Sequence, residues 1–279
     1  MRAMSADLVR LLRCPVCGAP LLREERALRC VARHSFDIAR QGYVTLLAGR
    51  APAGDTAPMV AAREAFLSGG HYRWLAEAVA DHARGEVILD AGAGTGYYLA
   101  AALERTEGAG IALDSSGYAL RRAVRAHPRI LAVRADLWRR LPIGDGVVDL
   151  VLNVFAPRNA AEFHRALRPG GRLLTVTPTS DHLAELVDRL GLLTVDQDKD
   201  RRLSDSLGQW FTRVAGEARR VPLRLTHADV RSLVAMGPSA WHTDSEAIAA
   251  RIAELPEPTT VTASCQITLW ERREGGLGG

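Results

Sequence analysis

Three cysteines and one histidine near the amino terminus have the types and spacing of metal ligands. Two residues separate Cys14 from Cys17, three separate Cys30 from His34, and twelve lie between the two pairs. Each pair fits a tight turn and the spacer can fold back as a hairpin, which suits tetrahedral Zn²⁺. Because these four ligands leave no open coordination position, we expect a structural zinc ion. The alternative is that the thiols are incidental and His34 is an ordinary surface residue.

The spacer between the two pairs supports the zinc interpretation. Pro20–Leu22 and Ala27–Arg29 are short strand-like runs around a polar turn at Glu24–Arg26. A segment of this size cannot bury enough apolar surface to fold alone, so a bound metal would stabilise it. The fourth cysteine, Cys265, lies in an apolar segment and is expected to be a core thiol.

A glycine-rich turn forms the second chemical signal. Val87–Leu89 is a buried-strand run that ends at Asp90, and Gly92, Gly94 and Gly96 follow at alternate positions before a helical segment. Glycine at these positions permits a sharp turn and a close approach of the backbone to a ligand. The strand–turn–helix context is the one in which such a turn binds a nucleoside.

The spacing of the turn argues against a dinucleotide. A dinucleotide fingerprint would have its third glycine at the position of Tyr97. The carboxylate of Asp90 would also repel a pyrophosphate, whereas it would tolerate a nucleoside that carries a positive charge. The D-x-G-x-G-x-G pattern resembles motif I of the class I methyltransferases, which use S-adenosylmethionine.

The ends of the next strands supply further polar groups. Asp114 ends a strand 18 residues beyond Gly96, where a carboxylate can accept both ribose hydroxyls, and Asp136 ends the third strand. Each acid alone could be a helix cap, but three acids in register with one turn favour S-adenosylmethionine. Asn153, at the end of the fourth strand, either hydrogen-bonds the substrate or caps the strand end.

The order of these segments predicts the fold. Strands and helices alternate up to about residue 177, which indicates an α/β class with a Rossmann-like sheet. We expect a helix from Met59 to about Gly69, and another that opens near Asp181 with that residue as its N-cap. Further strands are expected at 221–225 and 260–270. Trp241, in the loop at 237–242, could stack a base or plug a pocket.

Composition limits the class of protein. The chain has 279 residues, of which 47% are hydrophobic, and this excludes a disordered or collagen-like chain. No uninterrupted apolar run reaches about 18 residues, and residues 1–13 lack the pattern of a secretory signal. We therefore expect a cytoplasmic protein without a membrane span, whose cysteines are thiols or metal ligands.

Positive charge is concentrated in the amino-terminal part. Residues 1–50 contain nine arginines and four acids, a balance of +5, while the net charge of the chain is +4. A basic module on a near-neutral body is typical of phosphate binding. Only one of the 36 basic residues is lysine, so the arginine bias could instead reflect the nucleotide composition of the source.

Taken together, these motifs resemble a specific family, the 23S rRNA guanine-N1 methyltransferases. The resemblance covers nearly the whole chain and rests on the zinc pattern, on Phe36–Val44, on Met59–Tyr72 and on the D-x-G-x-G-x-G core. Two short segments, 155–159 and 236–242, look most like the tylosin-resistance branch. That branch methylates a guanine in a hairpin loop that lines the peptide exit tunnel.

The resemblance implies a division of the chain and a set of cofactor contacts. It implies a zinc-binding RNA-recognition module at residues 1–40, a linker and helix at 41–75 and a methyltransferase domain at 76–279, in a homodimer. The implied contacts with S-adenosylmethionine are Tyr72, Thr95, Gly96 and His182. In methyltransferases, the position of Asp136 and Leu137 faces the adenine edge. Together with the residues reasoned from the sequence, the expected cofactor-binding set is Tyr72, Asp90, Gly92, Gly94, Thr95, Gly96, Asp114, Asp136, Leu137 and His182, and the expected catalytic residue is Asn153.

The implied activity is methyl transfer from S-adenosylmethionine to N1 of a guanine in a 23S rRNA hairpin loop, with macrolide resistance as the consequence. Two alternatives stay open. A methyltransferase that acts on a small molecule would need the cofactor site but no basic metal module. A non-enzymatic zinc protein that binds RNA would need the module but not the three acids.

Overall fold

A computed structural model describes residues 6–49, 54–192, 206–237 and 245–274. Trp241 and His242, from the loop singled out in the sequence, lie outside these ranges. The amino-terminal part begins with helix α1 (Ala6–Arg10) and continues into a small antiparallel sheet of three strands in the order β1-β2-β3. The three strands are β1 (Leu22–Glu24), β2 (Ala27–Arg29) and β3 (Ser35–Asp37).

The hairpin expected between the two ligand pairs is present. Strands β1 and β2 pair with Leu22 opposite Arg29, and the turn between them places Glu25 at a φ of 49°. Leu21 and Leu28 are fully buried, so this small sheet has an apolar side. That side faces the rest of the molecule, because both residues belong to the same core cluster as Leu89 and Val151 of the main sheet.

The main sheet has eight strands in the order β10-β11-β9-β8-β5-β6-β7-β4. Every neighbouring pair is parallel except those made by β11, which runs opposite to both of its neighbours. The strands are β4 (Val44–Thr45), β5 (Val87–Ala91), β6 (Ala109–Asp114), β7 (Ile130–Arg134), β8 (Val148–Val154), β9 (Leu167–Pro178), β10 (Phe211–Leu225) and β11 (Thr259–Arg272).

Helices cover the sheet on both faces. They are α2 (Ala57–Ser68), α3 (Arg73–Ala80), α4 (Tyr97–Leu103), α5 (Gly117–Ala126), α6 (Ala160–Ala166), α7 (Ala184–Leu190), α8 (His227–Ala235) and α9 (Ser245–Ala253). Successive residues of a strand point to opposite faces, so Ile88 and Leu89 of β5 belong to two different core clusters. The first cluster includes Phe66 of α2 and Leu99 of α4. The second includes Phe163 of α6 and, from the amino-terminal part, Leu12. This architecture is the Rossmann-like α/β fold that the alternation of segments predicts.

The amino-terminal module packs closely against the second face. Leu12 forms a β-bridge with Ile143, the amide of Arg13 donates to the carbonyl oxygen of Pro142 (3.0 Å), and the amide of Gly144 donates to that of Leu11 (2.7 Å). The expected linker also contributes to the sheet, because Val44 and Thr45 form its edge strand β4 beside β7. A sequence pattern of two residues is too short to predict such a strand.

The expected N-cap at Asp181 is wrong. Helix α7 begins at Ala184, and its N-cap position is Leu183, which has a φ of 58° and makes no side-chain cap. Asp181 instead accepts a hydrogen bond from the hydroxyl of Thr179 and forms an ion pair with Arg220 (2.9 Å). Thr179 directly follows β9 and Arg220 belongs to β10, so the contacts of the folded chain outweigh the preference of an acid for a helix start.

The topology fixes where a ligand can bind. Strand β5 lies between β6 and β8, and the connections from these strands lead to opposite sides of the sheet. In open α/β sheets the crevice at such a switch point, outside the carboxyl ends of the strands, is the usual binding site. Asp90, Asp114, Asp136 and Asn153 all lie at or just beyond these carboxyl ends.

Candidate metal centre and cofactor site

The four predicted zinc ligands converge in the structure. Their ligand atoms all lie within 4.8 Å of one another. Cys14 Sγ lies 3.6 Å from His34 Nδ1, Cys17 Sγ lies 3.7 Å from Cys30 Sγ, and Cys30 Sγ lies 3.4 Å from His34 Nδ1. A tetrahedron with bonds of about 2.0–2.3 Å has edges of this length, so the donor set fits Zn²⁺.

Tight turns hold these ligands, as the spacing predicts. The amide of Gly18 donates to the carbonyl oxygen of Cys14 (2.8 Å), and that of Arg33 donates to Cys30 (2.9 Å). Desolvation raises the pKa of the Cys30 thiol, but hydrogen bonds from His34 and Cys17 outweigh it and bring the pKa down to about 7. A low thiol pKa favours the thiolate, which is the form that binds metal.

Backbone amides of the glycine turn donate hydrogen bonds to acceptors within the protein. The amides of Gly92 and Ala93 both donate to the carbonyl oxygen of Leu113 (2.9 Å each), and that of Gly96 donates to Ala93 (2.8 Å). The amide of Gly94 donates to Asp114 Oδ2 (2.8 Å). A pyrophosphate site needs such amides free to point at the ligand. The structure therefore agrees with the sequence argument against a dinucleotide.

Asp90 is a buried acid at the centre of the crevice. Its side chain is 1% exposed, and its Oδ2 atom has no hydrogen-bond partner within the described structure. Burial, and secondarily the charge of Asp114, raises the pKa of Asp90 to about 8. An unsatisfied buried acceptor of this kind requires an explanation. A cationic nucleoside beside it provides one, and on this observation the residues fit S-adenosylmethionine.

Asp114 is held in place by backbone donors. Its Oδ2 accepts from Gly94, as described above, and its Oδ1 accepts from the amide of Ser116 (2.7 Å). Burial raises the pKa of this carboxyl, and the two amides act in the opposite direction. Carboxylate oxygens have more than one lone pair, so both can still accept from the hydroxyls of a ribose.

The ends of β7 and β8 meet at the glycine turn. A Cβ atom placed on Gly92 would lie 2.3 Å from the Cβ of Ala156 and 3.5 Å from a methyl group of Leu137. Gly92 itself has a φ of 90°, so both its conformation and its surroundings require glycine. The structure thus brings the predicted residue Leu137 beside the turn. Asp136, next to it, accepts from the amide of Trp138 (2.9 Å).

Asn153 has the geometry of a residue that positions a loop. It is fully buried, and its Nδ2 donates to the carbonyl oxygens of Ala91 (3.0 Å) and Pro157 (2.9 Å). Both amide protons are therefore used, which matches the strand-cap alternative of the sequence analysis. Its Oδ1 atom is also buried and has no hydrogen-bond partner among the described residues.

Tyr72 and His182 form a buried pair, although 109 residues lie between them in sequence. The hydroxyl of Tyr72 lies 3.3 Å from His182 Nε2, and His182 Nδ1 lies 2.9 Å from the carbonyl oxygen of Ser264. Burial lowers the pKa of His182, while burial and the nearby Cys265 raise the pKa of Tyr72. Both side chains are therefore neutral near pH 7. Cys265 is fully buried, as expected of a core thiol.

Phe155 completes this group, and the sequence analysis did not single it out. Its ring centroid lies 6.0 Å from that of His182 and 6.3 Å from that of Tyr72. The residue has a φ of 51°, yet its side chain is 41% exposed. Strained backbone and an exposed aromatic ring are each uncommon, and strain of this kind concentrates at functional sites. Its place at the end of a buried strand is the signal that could have identified it.

Arg63 connects helix α2 and the segment after α8 with the glycine turn. Its guanidinium pairs with Asp55 (2.6 Å), donates to the carbonyl oxygen of Met236 (3.0 Å) and lies 3.2 Å from a Cβ position on Gly94. In the sequence, Arg63 stands out only as part of the family motif at Met59–Tyr72. Its contacts link α2 to the segment that follows α8, over the glycine turn.

Thr95, a predicted cofactor residue of the glycine turn, faces a second groove. It lines an open groove of about 910 Å³ between α2, α3, α4 and α5, together with Tyr97 and Arg122. The acids and the aromatic group of the crevice do not line this groove. The groove is therefore distinct from the site described above.

Comparison with known proteins assigns the two parts of the chain separately. Residues 12–50 match the RlmA N-terminal zinc-ribbon family, and residues 88–171 match the methyltransferase domain family. A 23S rRNA (guanine(748)-N(1))-methyltransferase of Streptomyces fradiae is 51% identical over 277 residues, which cover 95% of this chain and 98% of that protein. The chain belongs to the 23S rRNA (guanine-N1)-methyltransferase family.

Another member of this family agrees over the same span. A protein of Micromonospora griseorubida, named for the same reaction class, is 53% identical over 289 residues and covers 95% of this chain and 98% of its own length. Among solved structures, a chain from the complex of the Haloferax volcanii Trm112 methyltransferase activator matches with a TM-score of 0.54 and 17% identity. It covers 80% of this chain and 100% of its own. The latter likeness shows the fold alone.

The family membership confirms the main expectations from the sequence. The protein is a methyltransferase that uses S-adenosylmethionine, and its amino-terminal ribbon carries a structural zinc ion. The alternative of a non-enzymatic zinc protein is therefore wrong. Within the described ranges, no helix has the length and apolar character that a bilayer span requires.

Proposed function

We propose that this methyltransferase transfers a methyl group to N1 of a guanine in a hairpin loop of 23S rRNA. The observation that carries the proposal is the identity of 51% and 53%, over 95% of the chain, to two proteins named for this reaction. The balance of +5 in residues 1–50 supports it, because a basic module beside a crevice suits a polyanionic substrate.

In this proposal, the predicted residues contact different parts of the cofactor. Asp114 and Asp90 place hydrogen-bond acceptors on one side of the crevice, and Leu137 offers an apolar surface next to Gly92. Tyr72 and His182 form a neutral wall on the other side. When bound, S-adenosylmethionine supplies a methyl group that its sulfonium already activates. The protein's own contribution is therefore mainly alignment and the exclusion of water.

The acceptor base would lie against Phe155. The exposed ring offers a face on which a guanine can stack. Asn153 would act by holding the loop that carries this ring, through its hydrogen bonds to Ala91 and Pro157. Guanine N1 is paired in a duplex, so an unpaired loop base is the accessible target. The module at residues 1–40 would bind phosphates of the same hairpin.

Three further properties belong to the same proposal. The protein acts as a homodimer, it works in the cytoplasm where its RNA substrate is found, and the modification confers resistance to tylosin-type macrolides. The resemblance of residues 155–159 to the resistance branch supports the last of these.

The experiment that tests this function is methyl transfer from radiolabelled cofactor to 23S rRNA, followed by nuclease digestion and identification of the labelled nucleoside. The proposal predicts 1-methylguanosine and a rate that falls as salt is raised. The alternative, a methyltransferase for a small molecule, predicts label in a metabolite extract and a rate that does not depend on salt.

A further inference from the structure

Trp138 is the most exposed aromatic side chain in the part of the chain that the structure describes. It is 67% exposed, compared with 44% for Tyr118 and 41% for Phe155. It directly follows Asp136 and Leu137, the predicted adenine-edge residues at the end of β7. A large apolar ring in water at the mouth of a ligand crevice has no role in the core.

The backbone beneath the ring is fixed by several hydrogen bonds. Asn159 Nδ2 donates to the carbonyl oxygens of Leu137 (3.0 Å) and Arg139 (3.1 Å). The amide of Trp138 donates to Asp136 Oδ1 (2.9 Å), and the amide of Leu141 donates to Glu162 Oε2 (2.7 Å). These bonds attach the loop to the start of α6, so the ring is presented in a defined place.

Two cationic side chains follow the ring. The side chains of Arg139 and Arg140 are 65% and 72% exposed. Arg139 pairs with Asp136, which is itself only 15% exposed, so the exposed partner of this pair is the cation. Arg140 Nη2 lies 3.9 Å from Asp145 Oδ1, an oxygen that Arg165 already contacts at 2.5 Å. The head group of Arg140 is thus only loosely held.

The position of the loop connects the two functional parts. At its start, Leu137 lies beside the glycine turn of the crevice. At its other end, Pro142 and Gly144 exchange hydrogen bonds with Arg13 and Leu11 of the amino-terminal module. Residues 138–140 therefore lie between the glycine turn and the amino-terminal module.

We propose that residues 138–140 are an RNA-binding ledge, where Trp138 stacks on an unpaired nucleotide that flanks the target and Arg140 contacts a phosphate. An exposed aromatic ring next to exposed arginines is an arrangement that binds single-stranded RNA. A surface that binds a protein would favour apolar side chains around Trp138. The two residues that follow Trp138 carry guanidinium groups instead. The inference rests on the proposed function, because it takes the substrate to be RNA.

The test uses the full-length zinc-loaded protein and a labelled RNA hairpin that carries the 23S loop sequence, with binding followed by fluorescence anisotropy. Trp138→Ala should weaken binding about tenfold to a hundredfold, as expected for the loss of one base–aromatic stack. Trp138→Phe should retain most of the affinity. Val214→Ala is the matched control, because Val214 is an exposed apolar side chain on β10, at the opposite edge of the sheet.

A second variant separates charge from stacking. Arg140→Gln should reduce the slope of log affinity against log salt by about one, as for one lost phosphate contact. Trp138→Ala should leave that slope unchanged. Both variants should melt at the wild-type temperature, because both side chains lie at the surface.

Two results would overturn the ledge. The first is that Trp138→Ala binds the hairpin like wild type at every salt concentration. The second is that Trp138→Ala changes only the mass of the protein in sedimentation, which would assign the ring to an interface between copies of the chain. Either result would leave the proposed function intact as long as the wild type forms 1-methylguanosine. Absence of that product from the wild-type reaction would instead refute the proposed function.

Discussion

At the scale of single residues, Asp90 combines a buried carboxyl group with a pKa raised to about 8. Between about pH 4 and pH 8 the unfolded chain carries this carboxyl ionised, whereas the cofactor-free folded protein keeps it protonated. The native state therefore binds one more proton than the unfolded state in this window. The contribution of Asp90 to the free energy of unfolding therefore falls as the pH rises towards 8. Above about pH 8 this contribution is constant.

Asp90→Asn removes this titration. We expect the free energy of unfolding of the variant, relative to cofactor-free wild type, to increase by about 1–3 kcal/mol between pH 5 and pH 8. Urea unfolding at several pH values measures the difference. A difference that stays constant across this range would show that Asp90 ionises normally in the fold.

Phe155 permits a prediction that separates strain from function. Glycine adopts a φ of 51° without cost, so Phe155→Gly should change the free energy of unfolding by less than about 1 kcal/mol. Loss of the stacking face should lower the rate of rRNA methylation at least about tenfold, with cofactor affinity unchanged. The measurements are single-turnover methylation and calorimetric binding of the cofactor.

Phe155→Tyr is the control, since it keeps the ring and should retain methylation. Full activity in Phe155→Gly would exclude the stacking role. The sequence places Phe155 at the end of a buried strand, but its backbone strain and the exposure of its ring could not be predicted, because both are properties of the folded loop. The cap role of Asn153 stayed open for the same reason, since its partners Ala91 and Pro157 depend on the turn after β8.

At the scale of elements, the glycine turn has positions of unequal tolerance. A Cβ on Gly92 would lie 2.3 Å from that of Ala156, while a Cβ on Gly94 would lie 3.2 Å from the guanidinium group of Arg63. We expect Gly92→Ala to destabilise the protein by about 2–5 kcal/mol and Gly94→Ala by about 1 kcal/mol. Chemical unfolding of both variants checks the order, and equal costs would contradict the packing described here.

The elements differ in how far the sequence predicts them. Strand β6 ends at Asp114 as expected, because buried parallel strands carry a continuous apolar pattern that the terminal acid interrupts. Strand β10 is expected at 221–225 but spans Phe211–Leu225, since its first half is exposed and lacks that pattern. The two residues of β4 are added to the sheet by pairing with β7, which no local signal predicts.

At the scale of the whole molecule, the zinc ribbon is part of the same core as the sheet. Leu8, Leu12 and Leu28 belong to one apolar cluster with Leu89 and Phe163. The zinc ligands could be predicted from spacing alone, since metal geometry is local. The docking of the ribbon could not, because it depends on residues about 130 positions away in the chain.

Replacement of Cys14 and Cys17 with serine should release the zinc and unfold the ribbon. We expect cofactor affinity to stay within about twofold of wild type, because no cofactor-site residue lies in the ribbon, while methylation of rRNA falls at least about tenfold. Metal analysis, calorimetry and methyl transfer measure the three quantities. Val16→Ala, an exposed change in the same turn, is the control that keeps all four ligands. Undiminished methylation by the double variant after loss of its zinc would show that the ribbon does not bind the RNA.

Primer extension on 23S rRNA, after incubation with the protein and S-adenosylmethionine, tests the proposed reaction most directly. A methyl group on N1 blocks the pairing edge of guanine, so reverse transcription should stop one nucleotide before a single guanine in a hairpin loop. The stop should require both protein and cofactor, and it should disappear with Asp114→Ala. If rRNA that has taken up the labelled methyl group were still copied to the end of the template, that result would contradict N1 methylation.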